Sequence, residues 1–361
     1  MRSTTRTLQQ MMHGILANAQ KKCHATTLPV PSLTTNEVLV HVHAAGVNRP
    51  DIMQRAGLYP PPPGASPVLG LELAGIVCDL GSSPNAQGLQ VGDNVCALVT
   101  GGGYAEYCAV DADMCLPIPN QTTFATMSCF PETTYTVWQN LFSDLPDANS
   151  VRLRPDEILL VHGATSGIGS TALQLAKARG CTVIATAGSD DKVRACVDIF
   201  GADAAFNYNT VDWVDEVKAF TQKDARGDGV DVVLDMVGGE YLQRNLNVLG
   251  TRGRLRIIGF MQSPITQEIN MMRVLLKQIQ VSGSVLRSRP IALKRELTRE
   301  IATHVMPLVE QGVVLPHLHQ VFDASASGEG EKKVRMEQAA AEAHGLMETN
   351  QHVGKIAMQY R

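Results

Sequence analysis

The hydrophobic positions of this chain change their spacing near residue 150. In the first part they alternate with polar ones, as in Glu37 to Ala45, where Val38, Val40 and Val42 share one face of a predicted half-buried strand. Three further apolar stretches, residues 12–17, 68–77 and 91–100, are also predicted as strands. Because glycine and proline turns separate these short strands, the pattern predicts a β-barrel-like domain.

From residue 158 onward, short apolar runs alternate with stretches of helical spacing. The predicted strands are 158–163, 181–187, 204–209, 230–237, 253–260 and 279–286, and the predicted helices are 167–180, 190–200, 212–223, 239–249 and 267–277. Strands and helices that alternate in this way predict an α/β fold, the doubly wound parallel Rossmann sheet.

The remainder of the chain is predicted to return to the first domain. A helix over 291–311, a strand over 318–323, a charged helix over 330–348 and a strand over 355–360 follow the sheet. Since the two short strands would pair well with the β domain, we assign residues 1–132 and 300–361 to that domain. Residues 133–299 form the Rossmann domain.

A glycine turn joins the first strand of the Rossmann pattern to its first helix. The turn reads Gly163-Ala-Thr-Ser-Gly167-Ile-Gly169, and its glycines let backbone N–H groups approach a dinucleotide pyrophosphate. Short-chain dehydrogenases have a similar turn, but they carry it near the N-terminus together with a Tyr-x-x-x-Lys pair. Here the turn lies in mid-chain, and none of the seven tyrosines has a lysine four residues later. The short-chain class is therefore excluded.

The residues after the second Rossmann strand indicate which dinucleotide binds. An acidic residue at this strand end selects NAD, whereas here Ala187-Gly188-Ser189 is followed by Asp190, Asp191 and Lys192. A small residue, a hydroxyl and a cation favour the 2′-phosphate of NADPH, although the two aspartates weaken the argument. The alternative is that Ser189 only caps the next helix.

Composition excludes several classes of function. The formal net charge of −4 offers no basic surface for nucleic acid, and no apolar run approaches the roughly 20 residues of a membrane-spanning helix. The eight cysteines contain no Cys-x-x-Cys pair, so the spacing of a zinc lobe is absent. We therefore expect reduced thiols in a protein with a small-molecule substrate.

The N-terminal segment has two interpretations. Its first 36 residues contain no Asp or Glu, and several apolar residues could share a helical face, as in a mitochondrial presequence. We favour the interpretation that residues 12–17 form a strand, which leaves a tail too short to target and predicts a cytoplasmic protein.

Several stretches in the same order resemble one known family. They are Val47-Asn48-Arg49-Pro50-Asp51, Tyr59-Pro-Pro-Pro-Pro-Gly64, Leu69-Gly-Leu-Glu72-Leu-Ala-Gly75, Gly101-Gly-Gly103, Pro131-Glu132 with Thr136, His162 to Gly169, Thr186-Ala-Gly188-Ser189 with Lys192, Phe206-Asn207-Tyr208, Leu286-Arg-Ser-Arg289 and Gly354-Lys355-Ile356. Over residues 28–361 the chain resembles the medium-chain dehydrogenase/reductase superfamily. Within it the chain resembles the zinc-independent, zeta-crystallin-like NADPH quinone oxidoreductases, especially their tumour-suppressor-inducible branch.

The resemblance implies a GroES-like catalytic domain, a Rossmann domain that binds NADPH, and no metal. At the places of the catalytic zinc ligands the chain has Asn48 and Leu71-Glu72. The coenzyme residues that the resemblance implies are Asn48, Thr136, Gly163, Ser166, Gly167, Ile168, Gly188, Ser189, Lys192, Tyr208, Phe260, Met261, Ser284, Leu286 and Lys355. It also implies a homodimer formed through the strand at 280–286, an apolar strand at the sheet edge.

Three hypotheses for the function follow. The first is reduction of a quinone in the cleft between the domains, with Tyr59, held by the prolines, and Asn48 as catalytic hydrogen-bond donors to the quinone oxygen. The second is reduction of an enoyl thioester or alkenal, with Tyr59 as the proton donor. The third is an NADPH-binding protein without catalytic activity.

Overall fold

A computed structural model describes residues 10–82, 88–145, 152–223, 228–326 and 328–361. Residues 1–9, at the start of the acid-free N-terminal segment, and residues 83–87, 146–151, 224–227 and 327 lie outside the described residues. The chain divides into two compact units, the first of Met1–Glu132 with Leu318–Arg361 and the second of Thr133–His317.

The strands of the described residues follow the predicted order, with one strand at Cys23–Pro29 that was not predicted. They are β1 (Met11–Ala17), β2 (Cys23–Pro29), β3 (Glu37–Val47), β4 (Glu72–Leu80), β5 (Asn94–Leu98), β6 (Tyr107–Asp111), β7 (Cys115–Pro117), β8 (Ile158–Val161), β9 (Thr182–Ala187), β10 (Ala204–Asn207), β11 (Val230–Asp235), β12 (Leu249–Ile257), β13 (Gln280–Gly283), β14 (Leu318–Asp323) and β15 (Lys355–Gln359).

The helices connect these strands. They are α1 (Arg49–Arg55), α2 (Phe124–Met127), α3 (Pro131–Leu141), α4 (Gly167–Ala178), α5 (Asp190–Asp198), α6 (Trp213–Thr221), α7 (Tyr241–Val248), α8 (Met271–Lys277), α9 (Ile291–His304), α10 (Met306–Glu310) and α11 (Glu329–Thr349). None of the helices within the described ranges is long and apolar enough to cross a membrane.

The first unit contains a sheet with the strand order β14-β15-β3-β4-β5-β7, in which β6 also pairs with β3, and a separate hairpin of β1 and β2. Strand β3 lies between β15 and β4 and is antiparallel to both. Its inward positions Val38, Val40 and Val42 are buried, as their alternation predicted. The position of β3 brings the starts of β4 and β15 to its end, where the candidate site is found.

The second unit is a six-stranded parallel sheet with the order β10-β9-β8-β11-β12-β13. The change of strand order beside β8 is the arrangement of a doubly wound sheet, and it confirms the predicted α/β fold class. Strand β8 lies between β9 and β11 and is buried along its whole length, as expected for a central strand of a parallel sheet. The hydrophobic core of the second unit contains Leu160, Ile184, Val233 and Trp213.

Several predicted elements differ from the structure in their bounds, among them the strand predicted over 253–260, which is Leu249–Ile257. The strand predicted from residue 68 begins at Glu72, because Gly70 has a φ of +94° and packs against Tyr104. The strand predicted over 91–100 is limited to Asn94–Leu98, and the helix predicted from 267 begins at Met271, after the cap Asn270. The helix predicted over 291–311 is divided at Val305, since Pro307 lacks the N–H that a continuous helix requires.

The N-terminal strand is confirmed. Residues 11–17 pair antiparallel with β2, and Ile15 is fully buried. The domain boundaries remain a prediction, but the compact units differ from them at the second boundary, where α9 and α10 lie in the second unit. Hydrogen bonds from Tyr135 to Thr298 and from Trp138 to Glu300 connect α9 to α3 there.

Candidate functional site

Three polar residues meet at the ends of the central strands of the first unit. Asn48 follows β3 directly, Glu72 begins β4 and Lys355 begins β15. Because β3 pairs with both other strands, and Ile356 lies opposite Val47, the three side chains converge. Gly46 is required here, since a Cβ at this position would overlap the Glu72 carboxylate and the Ser128 carbonyl.

The side chains of these three residues form one buried hydrogen-bonded group. The ammonium of Lys355 lies 2.7 Å from Oε1 of Glu72 and 2.6 Å from Oδ1 of Asn48. Asn48 Nδ2 donates to Oε1 of Glu72 at 2.8 Å, and the backbone N–H of Glu132 donates to Oε2 at 2.8 Å. Glu72 is fully buried, and Lys355 is 3% exposed. The pair is therefore a buried ion pair with additional hydrogen bonds, which such a pair needs to be stable.

These contacts determine how the Asn48 amide is oriented. Its oxygen accepts from Lys355 and one of its N–H groups donates to Glu72, so the reversed amide would lose both bonds. Burial alone would lower the pKa of the Lys355 ammonium, but the charge of Glu72 leaves that pKa above its ordinary value. Lys355 therefore stays charged, and Asn48 keeps a second N–H for another acceptor.

A second buried group lies beside the first and was missed by the sequence analysis. The Asp51 carboxylate accepts hydrogen bonds from the backbone N–H groups of Asn48 (2.8 Å) and Gly70 (3.2 Å) and from the Tyr104 hydroxyl (3.2 Å). Burial raises the pKa of the Asp51 carboxyl to about 7. His344 lies 3.4 Å from the Tyr104 hydroxyl, and burial lowers its pKa to about 3.

The sequence signal for this second group is weak. Asp51 stands in the first turn of a short helix, where an acidic residue is expected for capping alone. His344 comes from α11, and nothing in the spacing of residues indicates that it approaches Tyr104. Only the pairing of distant elements reveals the group.

Tyr59 lies beyond the other end of helix α1 from Asn48. It is half-buried in a bend that follows Gly57, whose φ is +77°. The prolines continue from residue 60, and Ala65 N–H closes a turn onto the Pro62 carbonyl at 3.0 Å. The structure therefore brings Asn48 and Lys355 together and places Tyr59 on a stiff loop at a different position of the first unit.

In the second unit, the glycine turn leads into helix α4. Ser166 caps the helix, because its hydroxyl accepts the N–H of Gly169 at 3.0 Å. Gly163 has a φ of +59°, and a Cβ at Gly169 would lie 2.6 Å from the Ala164 backbone. Residues 166–168 are partly exposed at the positive end of the helix dipole, as a pyrophosphate site requires.

His162 directly precedes this turn, and both nitrogens of its buried ring have hydrogen-bond partners. Its Nδ1 lies 2.8 Å from Thr186 Oγ1, and its Nε2 lies 2.7 Å from Asn245 Oδ1. Asn245 in turn donates to Asp235 at 3.1 Å. Burial lowers the pKa of His162, so the ring is neutral. The network ties the ends of β8, β9 and β11 to helix α7.

The residues expected around a 2′-phosphate also come together. Ser189 caps helix α5 with a bond to the N–H of Lys192 at 3.3 Å. The Tyr208 hydroxyl lies so close to Gly188 that a Cβ there would overlap it. Burial lowers the pKa of the half-buried Lys192 ammonium, because it removes water from the charged group. An anion beside the ammonium would offset this loss and would itself be stabilised. The Ser189 cap is present, and it leaves the phosphate interpretation open as well.

The remaining predicted residues lie on β12, β13 and α3 or follow them. Asn140 links two of them, since it donates to the Thr136 carbonyl at 2.8 Å and accepts from the Ser284 hydroxyl at 2.8 Å. Leu286 is buried, whereas Phe260 and Met261 are each 53% exposed. Exposed aromatic and thioether side chains are available to contact a ligand.

No group of three or more His, Cys, Asp or Glu side chains that could hold a metal ion occurs among residues 10–82, 88–145, 152–223, 228–326 and 328–361. All eight cysteines are reduced, and Cys78 alone among them is exposed. Cys23 lies 3.7 Å from His344, and burial raises the pKa of its thiol to about 11, so it is not a nucleophile at neutral pH.

Comparisons with known proteins match segments of both units to dehydrogenase families. Residues 34–120 match the alcohol dehydrogenase GroES-like domain, and residues 167–303 match the family described as zinc-binding dehydrogenase. A quinone oxidoreductase of Mus musculus is 32% identical over 291 residues, which cover 80% of this chain and 82% of that protein.

Solved structures share the fold over nearly the whole chain. The Escherichia coli quinone oxidoreductase in complex with NADPH has a TM-score of 0.77 and 25% identity, covering 97% of this chain and all of that one. The CurK enoyl reductase also has a TM-score of 0.77, with 24% identity over 98% of this chain and all of that one. This second likeness concerns the fold alone.

Proposed function

Because the chain belongs to the medium-chain dehydrogenase/reductase superfamily, we propose that it is an NADPH-dependent quinone oxidoreductase that works without zinc. The observation that carries the proposal is the position of the Lys355 ammonium, 2.6 Å from Asn48 and 2.7 Å from Glu72. The resemblance implies that zinc-dependent members have their catalytic metal ligands at the places of Asn48 and Leu71-Glu72. Here a fixed organic cation already balances the Glu72 charge, which supports a reaction without metal. Quinone as the acceptor is supported by the similarity to quinone oxidoreductases.

The second unit fits NADPH. The partly exposed N–H groups of residues 166–168 would hold the pyrophosphate. Ser189, Lys192 and Tyr208 would hold the 2′-phosphate with two hydroxyls and a cation. On the nicotinamide side, Thr136 and Ser284 are joined through Asn140, and Phe260, Met261 and Leu286 supply apolar surface.

The side chains of the first unit bind and polarise the quinone. Bound NADPH would supply two electrons and one proton and become NADP+, and a second proton from solvent would complete the conversion of the quinone to a hydroquinone. Asn48 offers its second N–H to the quinone oxygen as that oxygen gains charge, and Glu72 and Lys355 keep the amide in the donating orientation. Tyr59 is the second donor, and the proline loop limits its motion.

The experiment that tests the proposal is NADPH oxidation with a panel of acceptors. We expect turnover with orthoquinones, no turnover with enoyl thioesters, and no loss of rate after treatment with a zinc chelator. Asn48→Ala and Tyr59→Phe should each lower kcat by about tenfold to a hundredfold, as for other removed donors. Unchanged rates in both variants would disprove the assigned donors, and silence with tight NADPH binding would favour a non-catalytic binding protein.

An enoyl-thioester or alkenal reductase is the alternative function. It is favoured by the half-buried position of Tyr59 on a rigid loop, because a phenol held in place can protonate the α-carbon after hydride addition. In that case, enoyl thioesters would be turned over and orthoquinones would not. Tyr59→Phe would then abolish product formation rather than slow it.

We also propose that the protein is a homodimer formed through β13. This strand ends the parallel sheet, and its Val281 is 46% exposed. The neighbouring helix α8 exposes Met271, Met272, Leu275 and Leu276, each by more than half. A free strand edge beside an apolar helix face is complementary to a second copy of itself across a twofold axis.

A cytoplasmic location is proposed, with the mitochondrion as the alternative. The proposal is supported by the apolar residues at 11–17, which form β1 rather than the helix of a presequence. Fractionation of cells that produce the tagged full chain would distinguish the two compartments.

A further inference from the structure

Two carboxylates stand beside the proposed 2′-phosphate site. Asp190 and Asp191 follow the cap residue Ser189 and precede Lys192, in the first turn of α5. A carboxylate near a 2′-phosphate repels it, whereas a carboxylate near a 2′-hydroxyl accepts its hydrogen bond. The position of these two side chains therefore affects the choice between NADPH and NADH.

Both carboxylates are engaged by other side chains. Asp191 pairs with the guanidinium of Arg194 one helical turn later, and both side chains are exposed. Asp190 Oδ1 accepts a hydrogen bond of 2.7 Å from Nδ2 of Asn207, the last residue of β10. The first partner is local to the helix, but the second comes from a neighbouring strand.

Asn207 is held so that its amide nitrogen faces Asp190. Its side-chain oxygen accepts the backbone N–H of Asn209 at 3.1 Å, which leaves Nδ2 as the donor. Asn209 also donates to the carbonyl of Gly188 at 2.8 Å, so the turn after β10 is fastened to the turn after β9. The amide orientation therefore does not depend on Asp190.

Asn207 ends strand β10, and Tyr208 begins the turn that follows it. Asn207 lies opposite Ala187 in the parallel ladder, and the N–H of Tyr208 continues it with a bond of 3.1 Å to the Ala187 carbonyl. The Tyr208 hydroxyl lies over Gly188, whereas the Asp190 carboxylate is bound by the Asn207 amide.

We propose that Asn207 determines the coenzyme preference by holding the Asp190 carboxylate away from the 2′-phosphate. The inference rests on the proposed function, in which Ser189, Lys192 and Tyr208 bind that phosphate. Without the Asn207 amide, the exposed Asp190 side chain is free to rotate. It then repels NADPH and becomes an acceptor for the 2′-hydroxyl of NADH.

The test compares NADPH and NADH binding to purified full-length variants, followed by nicotinamide fluorescence, with kcat/KM as a second readout. Asn207→Ala should lower the ratio of NADPH affinity to NADH affinity by about fivefold or more. A hydrogen bond to a charged group contributes on the order of 1 kcal/mol, which corresponds to about this change in affinity. The double variant Asp190→Ala/Asn207→Ala should restore the ratio, because the carboxylate is gone.

The matched control is Asn209→Ala. This variant loosens the same turn but keeps the hydrogen bond between Asn207 and Asp190. It should weaken both coenzymes alike and keep their ratio. Asn207→Ser, which can still accept the Asn209 N–H but cannot reach Asp190, repeats the test if Asn207→Ala does not fold.

The outcomes separate this inference from the proposed function. A ratio unchanged in Asn207→Ala and Asn207→Ser, or one not restored by removing Asp190, would overturn the role of Asn207 while the NADPH preference of the wild type stood. A wild-type protein that binds NADH as tightly as NADPH would overturn both the proposed coenzyme and the inference.

Discussion

The ammonium of Lys355 lies 2.7 Å from the carboxylate of Glu72, although the two residues are 283 positions apart in the chain. The pair joins the last strand of the chain to the middle of the first unit, and both side chains are almost completely buried. Asn48 bridges the two charges. Stability and the proposed chemistry therefore depend on the same contact.

Lys355→Met is expected to destabilise the protein by about 3–5 kcal/mol, because it leaves the Glu72 carboxylate buried without a counter-charge. The double variant Lys355→Met/Glu72→Gln should recover much of this loss, since no unpaired charge remains. The free energy of unfolding, measured with urea on both variants and the wild type, checks the prediction.

The matched control is Lys177→Met, which removes an ammonium from a partly exposed pair with Asp203 at 2.8 Å. Its cost should be about 1 kcal/mol or less. Equal costs for Lys177→Met and Lys355→Met would show that burial does not strengthen the Glu72 pair.

Asp51 is expected to make stability fall as the pH rises. Its pKa is about 7 in the folded protein against 3.8 ordinarily, so between these values the folded state keeps a proton that the unfolded chain releases. The contribution is complete below the lower value and is lost toward pH 7. Relative to Asp51→Asn, the wild type should lose up to about 4 kcal/mol over this range, measured by urea unfolding at several pH values.

Asp79→Asn is the control, because Asp79 is exposed and accepts only its neighbour's N–H in the described contacts. A pH profile of Asp51→Asn that ran parallel to the profile of Asp79→Asn would show that Asp51 is ionised throughout this range.

Gly188→Ala is expected to weaken NADPH binding by about threefold to tenfold, because it removes the hydrogen bond from the Tyr208 hydroxyl to the charged phosphate. The new Cβ would overlap the Tyr208 hydroxyl, and the ring, which is 43% exposed, can move outward without disturbing the core. Fluorescence titration with NADPH measures the effect, and Tyr208→Phe should reproduce it.

Gly345→Ala provides the comparison, since nothing lies within 4 Å of a Cβ at that helical position. It should leave NADPH affinity unchanged and raise stability by about 0.5–1 kcal/mol. Full affinity in Gly188→Ala would mean that the Tyr208 hydroxyl does not bind the coenzyme.

Val281→Asp is expected to convert the proposed dimer into monomers, because it places a charge in the middle of the exposed edge strand β13. Light scattering should then report the mass of one chain instead of two. Val334→Asp changes a valine on α11 in the other unit that is even more exposed, 65% against 46% for Val281, and it should leave the mass unchanged. A monomeric wild type would contradict the proposal.

The order of strands and helices in the second unit could be predicted from the sequence because each element there carries its own periodic pattern. The cap at Ser189 and the glycine turn at Gly163 were likewise visible, since capping and left-handed turns depend on local residue types. The boundary predicted after residue 299 falls inside helix α9, because the partners of this helix, Tyr135 and Trp138, lie more than 160 residues earlier and local spacing does not reveal them.

The sequence by itself determined the α/β fold class, the strand that leads into the glycine turn and the types of side chain available at the strand ends. These properties follow from local spacing and from side-chain chemistry. Only the tertiary structure decided that Lys355 neutralises Glu72 and orients Asn48, that Asp51 is buried against Tyr104, and that Asn207 holds Asp190. The physical reason is that burial and pairing depend on which distant strands become neighbours, and strand register is a property of the assembled sheet.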